Sequence, residues 1–312
     1  MAVVEVRDVW KRYDATVAVA GVSLRIERGA LLGLIGPNGA GKTSLLRCIA
    51  TLARPDRGSV TIFGRDVRLA AGPIRRRLGY MPAEFGRMPD MTVEEYLNYF
   101  GAAAGVPRAE RARRVEDVLE LVDLRDRRDT LVSAGSTGIK QRILIAKTLV
   151  HDPDLLVLDE PAAGLDPRAR IEVREVLLEL NRLGKTIILS SHILADLEEI
   201  CDAVAIIEHG QLVTHGAIAT LTEAMRGPAE ERAWRLRVPP DDAARAEVLL
   251  LTLPDVRGVA REHDALRLRT RARSANAALR ALIEADVAVL GLEEDGPRLE
   301  DVFLRRTEGT IL

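Results

Sequence analysis

The chain has 312 residues, 47% of them hydrophobic, and carries a formal net charge of −2 at pH 7. This length allows one large domain or two domains of ordinary size, and the apolar fraction is sufficient for a real core. The nearly balanced charge excludes a global basic field, so we expect no nucleic-acid partner. No run of about eighteen apolar residues is present and charges interrupt the first residues, which predicts a soluble chain without a signal peptide.

The N-terminal part of the chain predicts a mixed β-sheet around one helix. Apolar residues alternate over 3–9 and 17–26, which is typical of half-buried strands. A continuous apolar run at 31–35 and a short run at 60–63 predict two further strands. Apolar spacing after Lys42 predicts the helix.

Residues 88–150 predict a helical insertion that follows this sheet. Thr92 and Glu95 have the spacing of a capping box, in which each side chain bonds the other residue's backbone N–H. Apolar residues at helical spacing predict a second helix over 108–122. A third helix is expected from about residue 138 to residue 150.

Buried strands and helices alternate through the next segment. Apolar runs without polar alternation predict parallel strands at 155–158 and 186–189. Helices are expected at 168–182 and 193–201, and a hairpin of two strands at 204–214.

A domain boundary is predicted near residues 225–232, where Arg226-Gly227-Pro228 precedes a charged run. Beyond it we expect strand, helix, two strands, helix, strand and a terminal helix, at 233–238, 241–252, 256–261, 264–270, 274–284, 286–293 and 298–306. This βαββαβ order predicts a small ferredoxin-like α+β domain. The expected organisation is therefore a first domain over 1–224 and a C-terminal accessory domain over 232–312.

The most informative motif follows the strand at 31–35. Residues 36–43 read Gly-Pro-Asn-Gly-Ala-Gly-Lys-Thr, which matches the phosphate-binding loop G-x-x-x-x-G-K-[ST] between a strand and a helix. Glycines let successive backbone N–H groups turn toward one anion, and the helix start adds the positive end of its dipole. Lys42 is expected to contact the β- and γ-phosphates, and Thr43 to offer its hydroxyl to Mg²⁺. The predicted nucleotide-binding residues of this P-loop are Gly36, Pro37, Asn38, Gly39, Ala40, Gly41, Lys42, Thr43 and Ser44.

Two carboxylates follow the predicted buried strand at 155–158. Asp159 stands where P-loop ATPases hold Mg²⁺ with an aspartate. Glu160 is predicted to orient and deprotonate the attacking water. His192 closes the next strand and can reach a γ-phosphate or the water as a donor. We therefore predict Lys42, Glu160 and His192 as catalytic residues, and Thr43 and Asp159 as metal ligands.

A second anion-binding site is predicted in the 135–142 segment, which reads Gly-Ser-Thr-Gly-Ile-Lys-Gln-Arg and precedes a helix. Ser136 can cap this helix, and the free N–H groups at its start form an anion site. One ATP does not obviously need two such helix starts from one chain. The second site is therefore expected to serve the nucleotide of another subunit.

Together these motifs resemble those of the ATP-binding subunits of ABC transporters, over about residues 2–222. The matching segments, in order and spacing, are the P-loop, the 135–142 segment, Leu-Leu-Val-Leu-Asp-Glu-Pro, Gly164-Leu165-Asp166 and Ser190-Ser191-His192. The resemblance implies an α/β P-loop NTPase fold with a mixed sheet core, an antiparallel β subdomain and the helical insertion. It also implies ATP and Mg²⁺ as cofactors.

The resemblance further implies that two subunits meet head to tail around two ATP molecules. Ser136 and Gly138 of one subunit would face the γ-phosphate bound by Lys42 of the other, and Asp166 would couple the two sites. Tyr13 stands where the family stacks an aromatic ring on adenine. The C-terminal sequence at 297–304 resembles the P-x-L-E-D-V-F ending of ATPases paired with ABC-2-type exporter permeases, including drug and antibiotic exporters.

Two places depart from the family's pattern. Gly135 replaces the usual Leu and Thr137 the usual first Gly of the segment, so we expect a missing apolar anchor, a looser loop and weaker dimer closure. Ala83 stands where the family has Gln, or in some exporters an acidic residue, that senses Mg²⁺ and the water. Because alanine has no donor or acceptor, we expect water to fill this position and hydrolysis to be slow. Glu84, one residue later, is disfavoured as a substitute, because a shift of one residue usually points the side chain elsewhere.

These observations predict the ATPase subunit of an ABC exporter, working as a homodimer or with a paired ATPase subunit on a separate membrane permease. By resemblance the permease docks on residues 75–105, which implies a peripheral place at the cytoplasmic face of the cell membrane. Two alternatives stay open: a non-transport ABC ATPase acting on ribosomes or DNA, and a regulatory nucleotide-binding module with impaired hydrolysis. A single P-loop, no sustained heptads and the balanced charge disfavour the first. Ala83 motivates the second, whereas the intact catalytic residues oppose it.

Overall fold

The computed structural model describes residues 2–86, 90–225, 232–262, 265–272 and 274–307. The chain divides into two compact units, one formed by Met1–Ile218 with Arg306–Leu312 and the other by Ala219–Arg305. The predicted boundary sequence at 226–228 lies outside the described residues, and the domain ranges 1–224 and 232–312 stay predictions. Among the described residues, no helix is both long enough and apolar enough to cross a bilayer.

The first unit alternates strands and helices along most of its length. Its strands are β1 (Ala2–Tyr13), β2 (Thr16–Glu27), β3 (Leu31–Ile35), β4 (Arg57–Ile62), β5 (Arg65–Asp66), β6 (Leu78–Met81), β7 (Leu155–Leu158), β8 (Thr186–Ser191), β9 (Ala203–Glu208) and β10 (Gln211–Ala217). Its helices are α1 (Lys42–Ile49), α2 (Ala71–Arg75), α3 (Val93–Ala103), α4 (Arg108–Leu121), α5 (Thr137–Leu149), α6 (Pro167–Arg182) and α7 (Leu194–Ile200), and α8 (Ile218–Glu223) begins at its last residue before the second unit.

The central sheet has six strands in the order β10-β9-β3-β8-β7-β6. All its pairs are parallel except β10 with β9, which form the predicted hairpin. Every residue of β3, β7 and β8 is buried, which explains why their sequences lack polar alternation. Because the carboxyl ends of parallel strands meet at one edge, the P-loop after β3, the carboxylates after β7 and His192 after β8 all lie at that edge.

A second, antiparallel sheet has the order β2-β1-β4-β5. One apolar cluster joins it to the central sheet and to α1, and includes Val4, Leu34, Leu45 and Leu46. The insertion formed by α3, α4 and α5 follows β6 along the chain. Its first helix begins with the predicted capping box, in which Thr92 Oγ1 accepts from Glu95 N and the Glu95 carboxylate accepts from Thr92 N. The predicted fold class, with its mixed core, antiparallel subdomain and helical insertion, is confirmed.

Strand β6 was not predicted from the sequence, because Gly79 interrupts its short apolar run. The structure requires this glycine, since a Cβ there would lie 2.6 Å from the carbonyl oxygen of Thr148 in α5. Only glycine lets α5 approach the edge of the sheet so closely. The strand also positions the loop at 82–86, which carries Ala83.

The second unit contains an antiparallel sheet with the order β12-β13-β11-β14. Its elements are β11 (Arg232–Arg237), α9 (Ala243–Leu251), β12 (Val256–Glu262), β13 (Ala265–Thr270), α10 (Asn276–Glu284), β14 (Gly291–Glu294) and α11 (Leu299–Arg306). This is the strand order of a ferredoxin-like βαββαβ unit, as predicted. Its core includes Leu236, Leu250, Leu268 and Leu282.

The last strand, β14, is shorter than the strand predicted over 286–293, which was wrong at its start. Asp286 has φ +56° and the amide of Val287 donates to the carbonyl of Leu282 at 2.9 Å. The left-handed Asp286 and this hydrogen bond terminate α10. Val287 therefore belongs to the helix end and not to a strand. Pairing with β11 starts only at Gly291.

Candidate nucleotide-binding and catalytic site

The P-loop turns tightly between β3 and α1, and its glycines are required by close backbone contacts. A Cβ on Gly36 would lie 2.1 Å from the carbonyl oxygen of Ile207, and one on Gly41 would lie 2.1 Å from that of Ala18. Gly41 also has φ +102°, in the left-handed region that favours glycine. The loop is therefore clamped between β9 and β2, with Thr43 and Ser44 in the first turn of α1.

Lys42 is buried at the base of this loop. Its ammonium Nζ donates to the carbonyl oxygens of Gly36 at 2.7 Å and Pro37 at 3.2 Å, and lies 3.9 Å from Glu160 Oε1. Burial lowers the pKa of Lys42, while the nearby charges of Glu160 and Asp159 oppose that shift. The cation is thus held inside the loop, where backbone carbonyls and carboxylates offset the cost of its burial.

Asp159 directly follows β7 and is 1% exposed. Its Oδ1 accepts a hydrogen bond from Ser190 Oγ at 2.6 Å, whereas its Oδ2 is buried and has no hydrogen-bond partner among the described residues. An unpartnered buried carboxylate oxygen is costly unless a cation or donor meets it. Mg²⁺ is commonly held by one or two carboxylates together with substrate phosphates and water, so this oxygen fits the predicted ion.

Glu160 lies between the other two predicted catalytic residues. Its Oε2 is 2.9 Å from His192 Nδ1 and its Oε1 is 3.9 Å from Lys42 Nζ. Its backbone amide donates to Ser190 Oγ at 2.9 Å, so the Ser190 hydroxyl connects Asp159 and Glu160. The structure therefore brings Lys42, Glu160 and His192 together at the carboxyl edge of the central sheet.

Two further polar residues belong to this cluster although the sequence analysis assigned them no role. Ser190 donates to the Asp159 carboxylate and accepts from the Glu160 backbone amide, as described above. Gln141, in α5, is buried, and its Nε2 donates to the carbonyl oxygens of Pro161 at 2.6 Å and Glu160 at 3.3 Å. In the sequence, Gln141 is a polar residue within a predicted helix that contains many apolar residues. No sequence pattern identifies the groups to which its side chain bonds.

The 135–142 segment forms a separate cleft of about 390 Å³. Ser136 caps α5, with its Oγ accepting from Ile139 N at 3.4 Å, and Asp166 caps α6, with Oδ1 accepting from Ala169 N at 3.0 Å. Ser136, Gly138 and Asp166 line this cleft together, and no P-loop residue is among the described residues that line it. Two helix N-termini therefore open into a cleft remote from Lys42, an arrangement that suits an anion.

The space beside Gly135 is filled from within the segment. A Cβ on Gly135 would lie 2.9 Å from Cγ2 of Ile139, tighter than an ordinary contact. The β-branched side chain of Ile139 thus occupies space that a side chain at 135 would need, and the expectation of a looser loop and weaker dimer closure stays a prediction. Glycine at 135 and isoleucine at 139 form a matched pair.

Tyr13 and Ala83 are both exposed. The Tyr13 ring, at the end of β1, is 41% exposed, and Lys11 Nζ lies 5.2 Å from its centroid. Ala83 and Glu84 lie in the loop after β6, where neither is buried. These positions leave both side chains accessible to a bound molecule or a partner.

An aromatic groove of about 480 Å³ lies next to the loop that carries Ala83. It is lined by Pro82, Phe85, Gly86, Met91, Tyr96, Tyr99, Phe100, Leu144 and Lys147. Lys147 Nζ lies 5.0 Å from the Phe100 centroid, and burial lowers the pKa of Lys147. Burial raises the pKa of Tyr96 to about 12. The groove thus combines apolar rings with one desolvated cation.

The fold and the P-loop edge define a P-loop nucleotide-binding protein, and comparison with known proteins specifies it further. Residues 19–163 match the ABC transporter family. The Nod factor export ATP-binding protein I of Burkholderia thailandensis is 39% identical over 227 residues, which cover 73% of this chain and 75% of that protein. The ABC transporter ATP-binding protein NatA of Bacillus subtilis is 40% identical over 210 residues, which cover 67% of this chain and 85% of that protein.

Solved structures of ABC transporter ATP-binding proteins have the same fold as this chain. An ATP-binding subunit of an ABC transporter matches with a TM-score of 0.66 and 32% identity, covering 72% of this chain and 93% of that one. A dimeric bacterial ABC transporter cassette shares the fold, with a TM-score of 0.64, 22% identity, and coverage of 72% of this chain and 100% of that one. The chain therefore belongs to the ABC transporter family, as an ATP-binding subunit, and the resemblance described from its motifs is confirmed.

Proposed function

We propose that this ATP-binding subunit hydrolyses ATP and couples the hydrolysis to export through a separate membrane permease. The observation that carries the proposal is the position of Glu160, 2.9 Å from His192 Nδ1 and 3.9 Å from Lys42 Nζ. A base beside a donor and a phosphate-binding cation is the arrangement that attack of water on a γ-phosphate requires. The bond broken is the one between the γ-phosphorus and the oxygen that bridges it to the β-phosphate.

In this mechanism each residue has one task. The P-loop amides and Lys42 hold the phosphates, and Lys42 exchanges its carbonyl partners for phosphate oxygens. Thr43 and Asp159 would hold Mg²⁺, which would supply positive charge to the phosphates. Glu160 accepts a proton from the attacking water, and His192 donates a hydrogen bond to the water or the γ-phosphate.

Completion of the site requires a second subunit. Ser136 and Gly138 belong to a cleft that is separate from the chain's own P-loop, which supports a role toward the nucleotide of a partner. Asp166 lines that cleft and would couple the two sites. We propose a head-to-tail dimer, of identical or paired subunits, that encloses two ATP molecules, with Tyr13 stacking on adenine.

The exporter assignment is supported by the names of the relatives and by the aromatic groove. The Nod factor relative is named for export, and the P-x-L-E-D-V-F ending resembles that of ABC-2-type exporters. Most residues that line the groove belong to the segment expected to dock a permease, 75–105, whereas Leu144 and Lys147 come from α5. We propose that the permease occupies it, which holds the subunit peripherally at the cytoplasmic face of the membrane.

The decisive experiment is the substitution Glu160→Gln. Loss of the base is expected to lower the ATPase rate about 1000-fold while ATP binding and ATP-dependent dimerisation persist. The control is Glu175→Gln, an exposed carboxylate of α6, which should leave the rate unchanged. A Glu160→Gln rate near that of the wild type would show that Glu160 is not the base. A wild-type protein that binds ATP without hydrolysing it would favour the regulatory module that Ala83 suggested.

A further inference from the structure

Helix α5 contacts two functional regions of the same chain. Its first turn, capped by Ser136, lines the cleft expected to serve a partner's nucleotide. Gln141 lies one and a half turns further along, about 7 Å along the helix axis. Gln141 does not line that cleft, and its side chain donates to the carbonyl oxygens of Pro161 and Glu160, the residues that follow Asp159. One rigid helix is thus bonded to the backbone of the expected catalytic base.

The backbone of Glu160 needs support. Its φ of +50° lies in the left-handed region, which is strained for a residue other than glycine. Two side chains hold it there: Ser190 Oγ accepts from the Glu160 amide at 2.9 Å, and Gln141 Nε2 donates to the Glu160 carbonyl at 3.3 Å. This backbone conformation directs the Glu160 carboxylate toward His192 and Lys42.

Gln141 is well suited to hold this conformation. It is 6% exposed; its bond of 3.3 Å to the Glu160 carbonyl holds the peptide that follows Glu160, and its shorter bond, 2.6 Å to the Pro161 carbonyl, holds the next peptide. A buried carbonyl that loses its donor is left without a hydrogen bond, which is unfavourable, so the backbone would turn to find another partner. A turn of the Glu160–Pro161 peptide would move the Glu160 side chain relative to His192, which it now contacts at 2.9 Å.

We propose that Gln141 is a positioning residue for Glu160, and that it holds the catalytic carboxylate in place from the helix whose first turn serves the partner's nucleotide. The inference rests on the proposed ATPase function. It predicts that Gln141 acts on the active site of its own subunit. A role limited to α5 and its cleft would instead affect the active site of the other subunit.

The substitutions Gln141→Leu and Gln141→Glu remove the donor at nearly constant volume. Loss of one hydrogen bond to the positioned backbone is expected to lower kcat about tenfold, with the Kd for ATP within about twofold of the wild type. The matched control is Gln211→Leu, which changes the chain's one other glutamine at an exposed site on β10. Thermal unfolding of each variant identifies which are folded, and the better folded Gln141 variant is used.

Mixed dimers separate the two roles. One subunit carries Glu160→Gln, so that only the other subunit turns over ATP. Gln141→Leu placed in the active subunit should lower the rate about tenfold, and placed in the inactive subunit should leave it unchanged. An effect seen only from the inactive subunit, or no effect from either, would overturn the inference. A wild-type protein without ATPase activity would instead contradict the proposed function, so the two failures are distinguishable.

Discussion

The P-loop edge and the cleft of the 135–142 segment, the two proposed phosphate-binding sites, differ in the burial of their polar residues. At the P-loop edge, Lys42 and Asp159 are buried, and each has partners within the chain. In the second cleft, Ser136 and Asp166 are exposed at helix N-termini. Buried charges need internal partners, whereas helix ends at the surface are solvated until a ligand arrives. The groups of the first site are thus already paired within one chain, whereas those of the second are open to solvent, which supports the proposal that a partner subunit completes it.

The strongest test of this difference is Lys42→Met. Removing the cation from the P-loop should weaken ATP binding by the isolated subunit about 100-fold, because a charged hydrogen bond to phosphate is lost. Calorimetric titration with ATP and Mg²⁺ measures the change. The control is Lys185→Met, which removes a lysine paired with Asp152 at the start of β8. A loss smaller than about threefold would contradict the role given to Lys42.

A substitution in the second cleft should affect turnover instead of binding. Ser136→Asp keeps a good helix N-cap but faces the partner's γ-phosphate with a negative charge. We expect kcat to fall about 50-fold, while the isolated subunit keeps its affinity for ATP. Ser136→Thr keeps both the hydroxyl and the cap and serves as the control. Equal loss of ATP affinity in the isolated subunit would mean that the two clefts are one site.

A third test concerns the loop between the groove and the catalytic edge. Ala83→Gln restores the side chain that the family usually has, and should raise kcat about tenfold by adding a donor and an acceptor near the water. Ala83→Leu adds volume without polar atoms and should not raise the rate. Steady-state ATPase measurements compare the three proteins. An unchanged rate in Ala83→Gln would show that Ala83 does not limit hydrolysis.

The smallest expected effect concerns Gly135 and Ile139, the matched pair of the 135–142 segment. Gly135→Leu places a side chain where Ile139 already lies, and should lower the free energy of unfolding by about 1–2 kcal/mol through overpacking. Urea denaturation measures this change. In an Ile139→Ala background the same substitution should cost less, because the space is vacant. Additive effects of the two changes would show that the residues do not compete for one space.

Local sequence patterns predicted most of the fold. Strands β3, β7 and β8 were predicted because strands buried on both faces have uninterrupted apolar runs. The order βαββαβ sufficed for the topology of the second unit. Strand β6 was missed, because its glycine is explained only by the approach of α5. The start of β14 was predicted too early, because the apolar residues that directly follow α10 have the sequence pattern of a strand.

The sequence by itself determined the P-loop, the carboxylate pair and the helix caps. Each of these depends on backbone geometry within a few residues, where the residue types and their spacing are sufficient. Only the tertiary structure decided which groups meet. The bonds from Gln141 to Glu160 and from Ser190 to Asp159 join residues 19 and 31 positions apart. Such bonds depend on strand register and helix packing, which no local pattern specifies.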